Sequence, residues 1–335
     1  MGEPRTVVIT GASRGLGFAS AVRLYREGWR VVAAMRTPDL GIPPLREATG
    51  AGEDDDRLIG VQLDLTDAAS ISAAAKAIEE AVGAPYALVH NAGISAAGMV
   101  EETDMALWQK MFATHVMGPV ALTQALLPSM RAAGEGRIVL VASTAGVRGQ
   151  PATAPYSASK GAMERWGESM ACEIAPFGLG VTVLVTGTYD TDIITDAGTI
   201  DDRNFEGPYA RLHNTMNTRG RFAMKLARPP ERFTDGLLKA LDDRGPFRRR
   251  RVGPDASMLL VSNRILPASG MHHMSRIVLG IPRQGSMRDG AWPLTLAQRT
   301  QKGVLLAARV LPAPVLQRLA SLAARRRQGL KGNEG

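Results

Sequence analysis

The sequence predicts an α/β protein built on a doubly wound parallel sheet. From Arg5 to about Gly253, short continuous apolar runs alternate with segments of helical periodicity, which is typical of strands buried under helices on both faces. A glycine-rich turn links the first strand to the first helix, as in many doubly wound folds. The chain has 335 residues, of which 45% are hydrophobic and 21% charged, so it is long enough to bury such a core.

The first part of the chain contains four short apolar runs that predict buried strands. They cover Thr6–Thr10, Trp29–Met35, Leu58–Leu63 and Tyr86–His90. Two longer segments between them, Phe18–Glu27 and Ala68–Val82, repeat apolar residues at helical spacing and predict helices. An acidic loop rich in proline and glycine, containing Asp54–Asp56, precedes the third strand.

The second part of the chain continues the alternation. Two helical stretches lie between about residues 104 and 133, and Pro119 is expected to kink or break them because proline removes a backbone donor. Strands at Arg137–Ala142 and Gly180–Val185 flank a helix at Tyr156–Phe177. The expected result is a parallel sheet covered by helices on both sides.

We predict one core domain over residues 1–266 and a basic, partly helical C-terminal extension over residues 267–335. The polar connection Thr188–Ala227 does not fit the alternation. Because it carries large apolar side chains inside a compact domain, we expect it to form a substrate loop or lid. Those side chains are Tyr189, Phe205, Tyr209, Leu212, Met216, Phe222 and Met224.

The net charge of +8 is a property of the C-terminal part of the chain. Residues 244–335 contain 17 Lys and Arg against 3 Asp and Glu, or +14, and the first 243 residues contain 23 against 29, or −6. The extension has one aromatic residue, Trp292, and no recognisable nucleic-acid-binding module. We therefore do not expect nucleic acid as a partner.

The extension contains apolar stretches that end in a run of arginines. These segments are Met271–Ile281, Leu294–Leu311, Val315–Ala324 and Arg325–Arg327. Apolar stripes beside arginines can lie in a membrane interface, which would give peripheral membrane contact. They can equally pack on the protein's own body or across a dimer, and the sequence leaves both interpretations open.

No metal, disulfide or membrane span is expected. The single cysteine, Cys172, excludes an intramolecular disulfide and a zinc site of several thiolates, and the five histidines lack metal-ligand spacing. No apolar run reaches the roughly 18 residues of a transmembrane helix, and the N-terminus lacks a signal-peptide apolar region. We expect a cytoplasmic protein, with membrane association through the extension left open.

The turn after the first strand predicts a dinucleotide-binding, Rossmann-like site. Its glycines allow a tight turn and a close backbone approach to a pyrophosphate, and the helix that follows offers free N–H groups to the phosphates. The expected contacts are Thr10, Gly11, Ser13, Arg14, Gly15, Leu16 and Gly17. The strand before and the helix after the turn are the context that this motif requires.

Two arginines favour NADP(H) over NAD(H). Arg36 follows Met35 at the end of the second strand, where NAD-binding proteins place an acid for the ribose 2′-hydroxyl. A guanidinium there suits a 2′-phosphate because it can pair with two phosphate oxygens. Arg14, inside the glycine motif, can approach the same phosphate.

A catalytic set is predicted at the end of the fifth strand and on the helix that follows it. Tyr156 and Lys160 stand at i and i+4, so they share one face of a helix. A neighbouring ammonium is expected to lower the pKa of the phenol toward the range of acid–base catalysis. Ser143 follows the strand Arg137–Ala142, at the sheet edge where ligands bind.

Together these motifs resemble the short-chain dehydrogenase/reductase family from about Arg5 to Ala256. The resemblance rests on Thr10–Gly17, Asp64, Asn91-Ala92-Gly93, Ser143 and the Tyr156/Lys160 pair, in this order. It implies an enzyme acting on CH–OH groups with a nicotinamide cofactor. It also implies a homodimer or homotetramer that pairs helices at about Met111–Ala133 and Tyr156–Phe177.

The resemblance assigns a role to each matching position. Asp64, with Leu65, contacts the adenine. Support of the central strand falls on Asn91, Ala92 and Gly93, which also lie alongside the cofactor. Ser143 holds the substrate oxygen and Tyr156 exchanges the proton. Lys160 holds the nicotinamide ribose and tunes the tyrosine. Thr191 matches the threonine that meets the nicotinamide carboxamide.

The sequence departs from the family pattern at two places. His115 stands where the family has its fourth catalytic residue, an asparagine that anchors a water. We include His115 in the catalytic set. A histidine there is either a tolerated structural replacement or a change to the proton relay that titrates near its usual pKa of about 6.5. Thr186-Gly187 replaces the usual Pro-Gly, which removes stiffness from the turn but no catalytic group.

The expected function is NADP(H)-dependent hydride transfer between the nicotinamide and a hydrophobic ketone or secondary alcohol. Arg248–Ala256 resembles the last strand and turn of family members acting on steroids, retinoids or other lipids. The sequence leaves two alternative functions open. One is a cofactor-binding scaffold or sensor that has lost turnover, and the other is an epimerase or dehydratase of the same fold.

Overall fold

The computed structural model describes residues 4–194, 199–225 and 227–287, apart from the side chains at positions 194, 222 and 223. The chain divides into two units, Met1–Gly280 and Ile281–Gly335, and only residues 281–287 of the second are described. The predicted segments Leu294–Leu311, Val315–Ala324 and Arg325–Arg327 lie outside the described residues. The domain boundary at residue 266 stays a prediction.

Within the described residues, seven strands form one parallel sheet and two short strands pair beside it. The strands are β1 (Thr6–Thr10), β2 (Arg30–Met35), β3 (Leu58–Gln62), β4 (Ala87–His90), β5 (Ser95–Ala97), β6 (Gly136–Ser143), β7 (Leu179–Thr186), β8 (Thr199–Asp201) and β9 (Phe247–Val252). The sheet order β3-β2-β1-β4-β6-β7-β9 is that of a doubly wound, Rossmann-like fold, which confirms the predicted fold class.

Helices cover both faces of the sheet. They are α1 (Gly15–Arg26), α2 (Pro38–Thr49), α3 (Ala68–Val82), α4 (Met105–Phe112), α5 (Gly118–Ala133), α6 (Thr144–Val147), α7 (Ala154–Ile174), α8 (Ala210–Met224), α9 (Glu231–Leu241), α10 (Pro254–Ile265) and α11 (Ala268–Leu279). One apolar core joins α3, α5 and α7 to the sheet, and a second joins α1, α2 and α9 to its other face. Burial on both faces explains why the strands read as continuous apolar runs.

The strand order reverses between β1 and β4, which places a crevice at their carboxyl ends. In open α/β sheets ligands bind at this switch point. The turns after β1, β2 and β4 open toward it, as does the end of β6. The predicted cofactor and catalytic residues therefore share one edge of the sheet.

The predicted kink or break near Pro119 corresponds to a π-helical turn in a backbone that stays helical. This turn, Ala113–Met117, lies between α4 and α5. Pro119 lies in the first turn of α5, where its missing N–H disfavours a regular α-helical hydrogen bond to the preceding turn. His115 lies in this π turn. Such turns often occur at functional sites because they redirect side chains.

Several elements differ from the sequence prediction. The predicted loop before β3 contains α2, although Gly41, Pro43 and Pro44 disfavour a helix. Its Ile42 and Leu45 are buried in the core, so tertiary packing overrides local propensity. The region Thr188–Ala227 contains β8 and α8, and α9 follows it. No helix of the described residues is long and apolar enough to cross a membrane.

Candidate active site

A cleft of about 230 Å³ lies where the first, second and fourth strands end. It brings together nearly all of the predicted cofactor-binding residues. Those lining it are Thr10, Gly11, Ser13, Arg14, Gly15, Leu16, Arg36, Asp64, Leu65, Asn91, Ala92, Gly93 and Thr191. Gly17 does not line the cleft and has a packing role beneath it.

The glycine turn is shaped for a close approach by a ligand. A Cβ on Gly17 would lie 2.2 Å from the carbonyl oxygen of Gly11 and 2.5 Å from Nδ2 of Asn91, so only glycine fits. Gly11 has φ +69°, a left-handed conformation that favours glycine. Arg14, the residue before α1, makes no side-chain hydrogen bond to the first turn of that helix. The backbone N–H groups of this turn are therefore available to a pyrophosphate.

Asn91 ties the turn to the centre of the sheet. Its Nδ2 donates to the carbonyl oxygens of Thr10 at 3.0 Å and Gly11 at 3.2 Å. The backbone N–H groups of Asn91 and Ala92 both donate to Oγ1 of Thr10, each at 3.1 Å. Asn91 therefore fixes the shape of the cofactor turn through its side chain.

The adenosine end of the cleft carries Asp64 and the two arginines. Oδ1 of Asp64 accepts from the hydroxyl and the N–H of Thr66 at 2.7 and 2.8 Å, and these hydrogen bonds lower the pKa of its carboxyl. The charge of Arg36 lowers the same pKa further. Arg14 lies 3.8 Å from Asp192. The chemistry of this donor set fits a dinucleotide, because a carboxylate can accept from ribose or base groups and guanidinium groups can pair with phosphate oxygens.

A second cleft of about 520 Å³ adjoins the first and contains Ser143, Tyr156 and Lys160. Ser143 ends β6, while the other two side chains come from the same face of α7. Nζ of Lys160 donates to the carbonyl oxygen of Val141 at 2.8 Å and lies 6.0 Å from the ring centroid of Tyr156. The three predicted groups therefore meet in one cleft.

Burial controls the protonation of the tyrosine and the lysine. It raises the pKa of Tyr156 above its usual value, and the Ser143 hydroxyl only partly opposes this. Burial also lowers the pKa of Lys160 to about 8. The expectation that the ammonium lowers the pKa of the phenol is not met in the protein alone, because desolvation dominates.

His115 lies one layer behind the cleft and lines neither cavity. Its Nε2 accepts from the N–H of Ile94 at 3.0 Å, so the proton of the neutral ring is on Nδ1. Nδ1 then donates to Oγ of Ser159 at 2.8 Å, and that hydroxyl donates to the carbonyl oxygen of Tyr156 at 2.9 Å. The imidazole also packs edge-on against the Tyr156 ring, with centroids 5.5 Å apart. His115 thus acts on the site by positioning.

The region Thr188–Ala227 forms part of the wall of the larger cleft, but with more polar groups than expected. Tyr189, Met216 and Met224 line the cleft as predicted, whereas Phe205, Tyr209 and Leu212 do not. The side chain of Phe222 lies outside the described part. Polar side chains that the sequence analysis missed also line it, and they are Gln150, Arg203, His213, Asn217 and Arg221.

A buried histidine–carboxylate hydrogen bond holds α8 over the cleft. Nε2 of His213 lies 2.8 and 2.9 Å from the two carboxylate oxygens of Glu102. Burial alone would raise the pKa of Glu102, but hydrogen bonds from His213 and two backbone N–H groups hold it below its usual value. The pair is separated by 111 residues, so no local motif signals it.

The fold and this geometry define a dinucleotide-binding oxidoreductase site. Residues 5–200 match the family model described as short chain dehydrogenase. The chain therefore belongs to the short-chain dehydrogenase family, as the motifs indicated.

Known relatives agree with this assignment. The chain is 36% identical over 189 residues to the uncharacterized oxidoreductase YusZ of Bacillus subtilis, covering 56% of this chain and 66% of that one. It is 37% identical over 193 residues to retinol dehydrogenase 8 of Bos taurus, covering 56% and 60%. It thus spans less than two thirds of either relative. A short-chain dehydrogenase structure from Streptomyces avermitilis matches with a TM-score of 0.71 and 28% identity, covering 84% of this chain and all of that one.

The contacts of His115 predict different outcomes for two substitutions. His115→Leu leaves the N–H of Ile94 and the hydroxyl of Ser159 without this partner, so we expect a loss of about 1–3 kcal/mol in the free energy of unfolding and reduced turnover. His115→Asn keeps a hydrogen-bond acceptor and a donor at the site. It should therefore retain most of the free energy of unfolding and most of the turnover. Urea unfolding and steady-state kinetics of the three proteins measure these effects.

The structure also revises the expected pH dependence of His115. Burial, and then the charge of Lys160, hold the pKa of the imidazole well below its usual 6.5. We therefore do not expect protonation of this residue to change the reaction rate near pH 6.5. The pH–rate profiles of the wild type and of His115→Asn should coincide in that range. A limb near pH 6.5 that is present in the wild type and absent from His115→Asn would contradict this assignment.

Proposed function

We propose that the protein is an NADP(H)-dependent oxidoreductase acting on a hydrophobic ketone and its secondary alcohol. The observation that carries the proposal is the meeting of Ser143, Tyr156 and Lys160 in a cleft continuous with the cofactor cleft. Leu16, Asn91 and Thr191 line both cavities, so a dinucleotide can extend from one into the other. Family membership supports the same reaction class.

The chain's own residues bind and polarise the reacting oxygen. The hydroxyls of Ser143 and Tyr156 donate hydrogen bonds to the substrate carbonyl oxygen. As that oxygen becomes an alkoxide, Tyr156 gives it a proton, and in the reverse direction the phenol oxygen takes the proton back. Lys160 would hold the nicotinamide ribose. When bound, the nicotinamide supplies the hydride to the carbonyl carbon, or accepts it from the carbinol carbon.

The cleft supports a substrate with an apolar body. Around the reacting groups it is lined by Ala96, Val141 and Ala145, which offer no hydrogen bond except through their backbone. The name of the bovine relative, retinol dehydrogenase 8, denotes an apolar alcohol as its substrate. The polar side chains Arg203 and Asn217 at the α8 wall suit a polar group remote from the carbonyl.

Arg36 provides the sharpest test of the NADP(H) proposal. We expect the wild-type protein to oxidise NADPH with apolar ketones and to bind NADPH more tightly than NADH. Arg36→Asp places a carboxylate where the 2′-phosphate would lie and should cost NADPH about tenfold or more in affinity, while NADH keeps or gains affinity. Fluorescence titration of both cofactors, at low and high salt, measures the preference.

Arg46→Asp is the matched control. It makes the same change of charge as Arg36→Asp, but Arg46 lies on α2 and lines neither cleft. Equal affinities of the wild-type protein for the two cofactors would contradict the NADP(H) proposal. Stoichiometric loss of NADPH with alcohol formation supports the oxidoreductase. Product formation without net cofactor loss would indicate an epimerase or dehydratase, and cofactor binding without any turnover would indicate a scaffold or sensor.

A further inference from the structure

A third cavity, which is strongly basic, lies away from the reacting groups, between α9 and the edge strand β9. It has a volume of about 400 Å³, and six of its ten lining residues are cationic while none is acidic. We call it the basic groove and define it by Arg228, Arg232, Lys239, Arg249, Arg250 and Arg251. The proposed oxidoreductase reaction makes no use of these charges.

Only two of the six cations have carboxylate partners. Arg249 lies 2.5 Å from Glu164, and Arg250 lies 2.5 Å from Asp243. Among the described residues, no carboxylate lies within 4.0 Å of the charged groups of the other four, which are Arg228, Arg232, Lys239 and Arg251. Like charges so close to one another repel, and a bound anion would relieve that repulsion.

The fold holds these cations in place around one opening. Arg232, Gly236 and Lys239 occupy one face of α9 at i, i+4 and i+7. A Cβ on Gly236 would lie 2.8 Å from Val252, so the glycine lets helix and strand approach closely and the cations surround the contact. The groove is thus built by tertiary packing.

The groove shares a wall with the active site. Tyr189 is 2% exposed and lines both the basic groove and the larger cleft. Its backbone forms a bridge with Arg228, and the N–H of Arg228 donates to Thr188 at 3.3 Å. An anion bound to Arg228 would therefore contact the segment that borders the substrate.

Other occupants of the groove are disfavoured by charge. A second copy placed edge to edge on β9 would bring Arg248–Arg251 of both chains together. An anion of high charge density does not meet this repulsion.

We propose that the basic groove binds a phosphate-bearing anion with two or more charges, either free in solution or as a lipid headgroup. Guanidinium groups on two sides of the opening can each pair with two phosphate oxygens, and Lys239 adds a further charge. A single carboxylate would pair with only some of the cations of the basic groove.

Inorganic pyrophosphate is the probe for the soluble source. The full chain is first saturated with NADPH, so that the cofactor's phosphate contacts are occupied, and then titrated by calorimetry. We expect saturable binding that weakens as salt rises, and about tenfold weaker binding for Arg232→Gln and for Lys239→Gln. Lys76→Gln removes the same charge from an exposed position on α3 and should bind as the wild type does.

Vesicles distinguish the lipid source. Sedimentation with phosphatidic acid vesicles, whose phosphomonoester headgroup can carry two charges, and with phosphatidylcholine vesicles as reference, is compared for the wild type and the double variant Arg232→Gln/Lys239→Gln. Recruitment to phosphatidic acid that the double variant loses assigns the site to a headgroup, and pyrophosphate binding without recruitment assigns it to a soluble anion. Weak, unsaturable binding that is equal in all folded variants, an adventitious ion only, would overturn the proposal. Thermal unfolding of each variant establishes that it is folded.

Discussion

Tyr156→Phe should lower turnover by roughly 10²–10⁴-fold while NADPH affinity stays close to that of the wild type. The phenol oxygen is the acid–base atom of the proposed mechanism, and the substitution removes it but keeps the ring that packs against His115. The loss should therefore fall on kcat and leave the fold intact. Steady-state ketone reduction and a cofactor titration on the same preparation measure both quantities.

Tyr86→Phe is the matched control, since that ring packs at a tilt against Trp29 and lines neither cleft. It should reduce ketones at the wild-type rate. If Tyr156→Phe did so as well, the tyrosine would have no part in proton transfer. A Tyr156→Phe protein that no longer binds NADPH would instead point to a disturbed cleft.

The parts of the fold and site that the sequence predicts are those with local signals. Strands buried on both faces must be continuously apolar, so the sequence predicts β1, β2 and β4 directly. The glycines at 11 and 17 are required by steric contacts, and Tyr156 and Lys160 are four residues apart because they share one helical turn. Each of these signals lies within a few residues of sequence, although the steric contacts of the two glycines also reach Asn91 and Ala92.

The parts that the sequence does not predict depend on distant contacts. Helix α2 forms despite its internal prolines because Ile42 and Leu45 reach the core. His213 meets Glu102 across 111 residues, and neither position belongs to a motif. The direction of the pKa shift of Tyr156 likewise depends on burial, which only the assembled cleft provides.

Lys160→Met should abolish turnover yet change stability in a way that depends on pH. Burial lowers the pKa of Lys160 from 10.5 to about 8, so between these values the unfolded chain holds the proton that the folded protein has lost. Stability rises with pH wherever the unfolded state binds more protons, so the wild type is stabilised by this residue as pH rises through that window. Below about pH 8 the cost of burying the ammonium is fully present.

Methionine carries no proton, so the variant lacks this pH-dependent contribution. Relative to the wild type, Lys160→Met should therefore lose about 2 kcal/mol of unfolding free energy between about pH 7 and 9.5. The lost hydrogen bond to Val141 adds a constant offset that pH does not alter. Urea unfolding of the protein without added cofactor, at several pH values, measures the difference. Lys76→Met, at an exposed site, is the matched control for replacing a lysine by methionine. If the stability difference between Lys160→Met and the wild type did not vary with pH, the buried ammonium would keep its ordinary pKa.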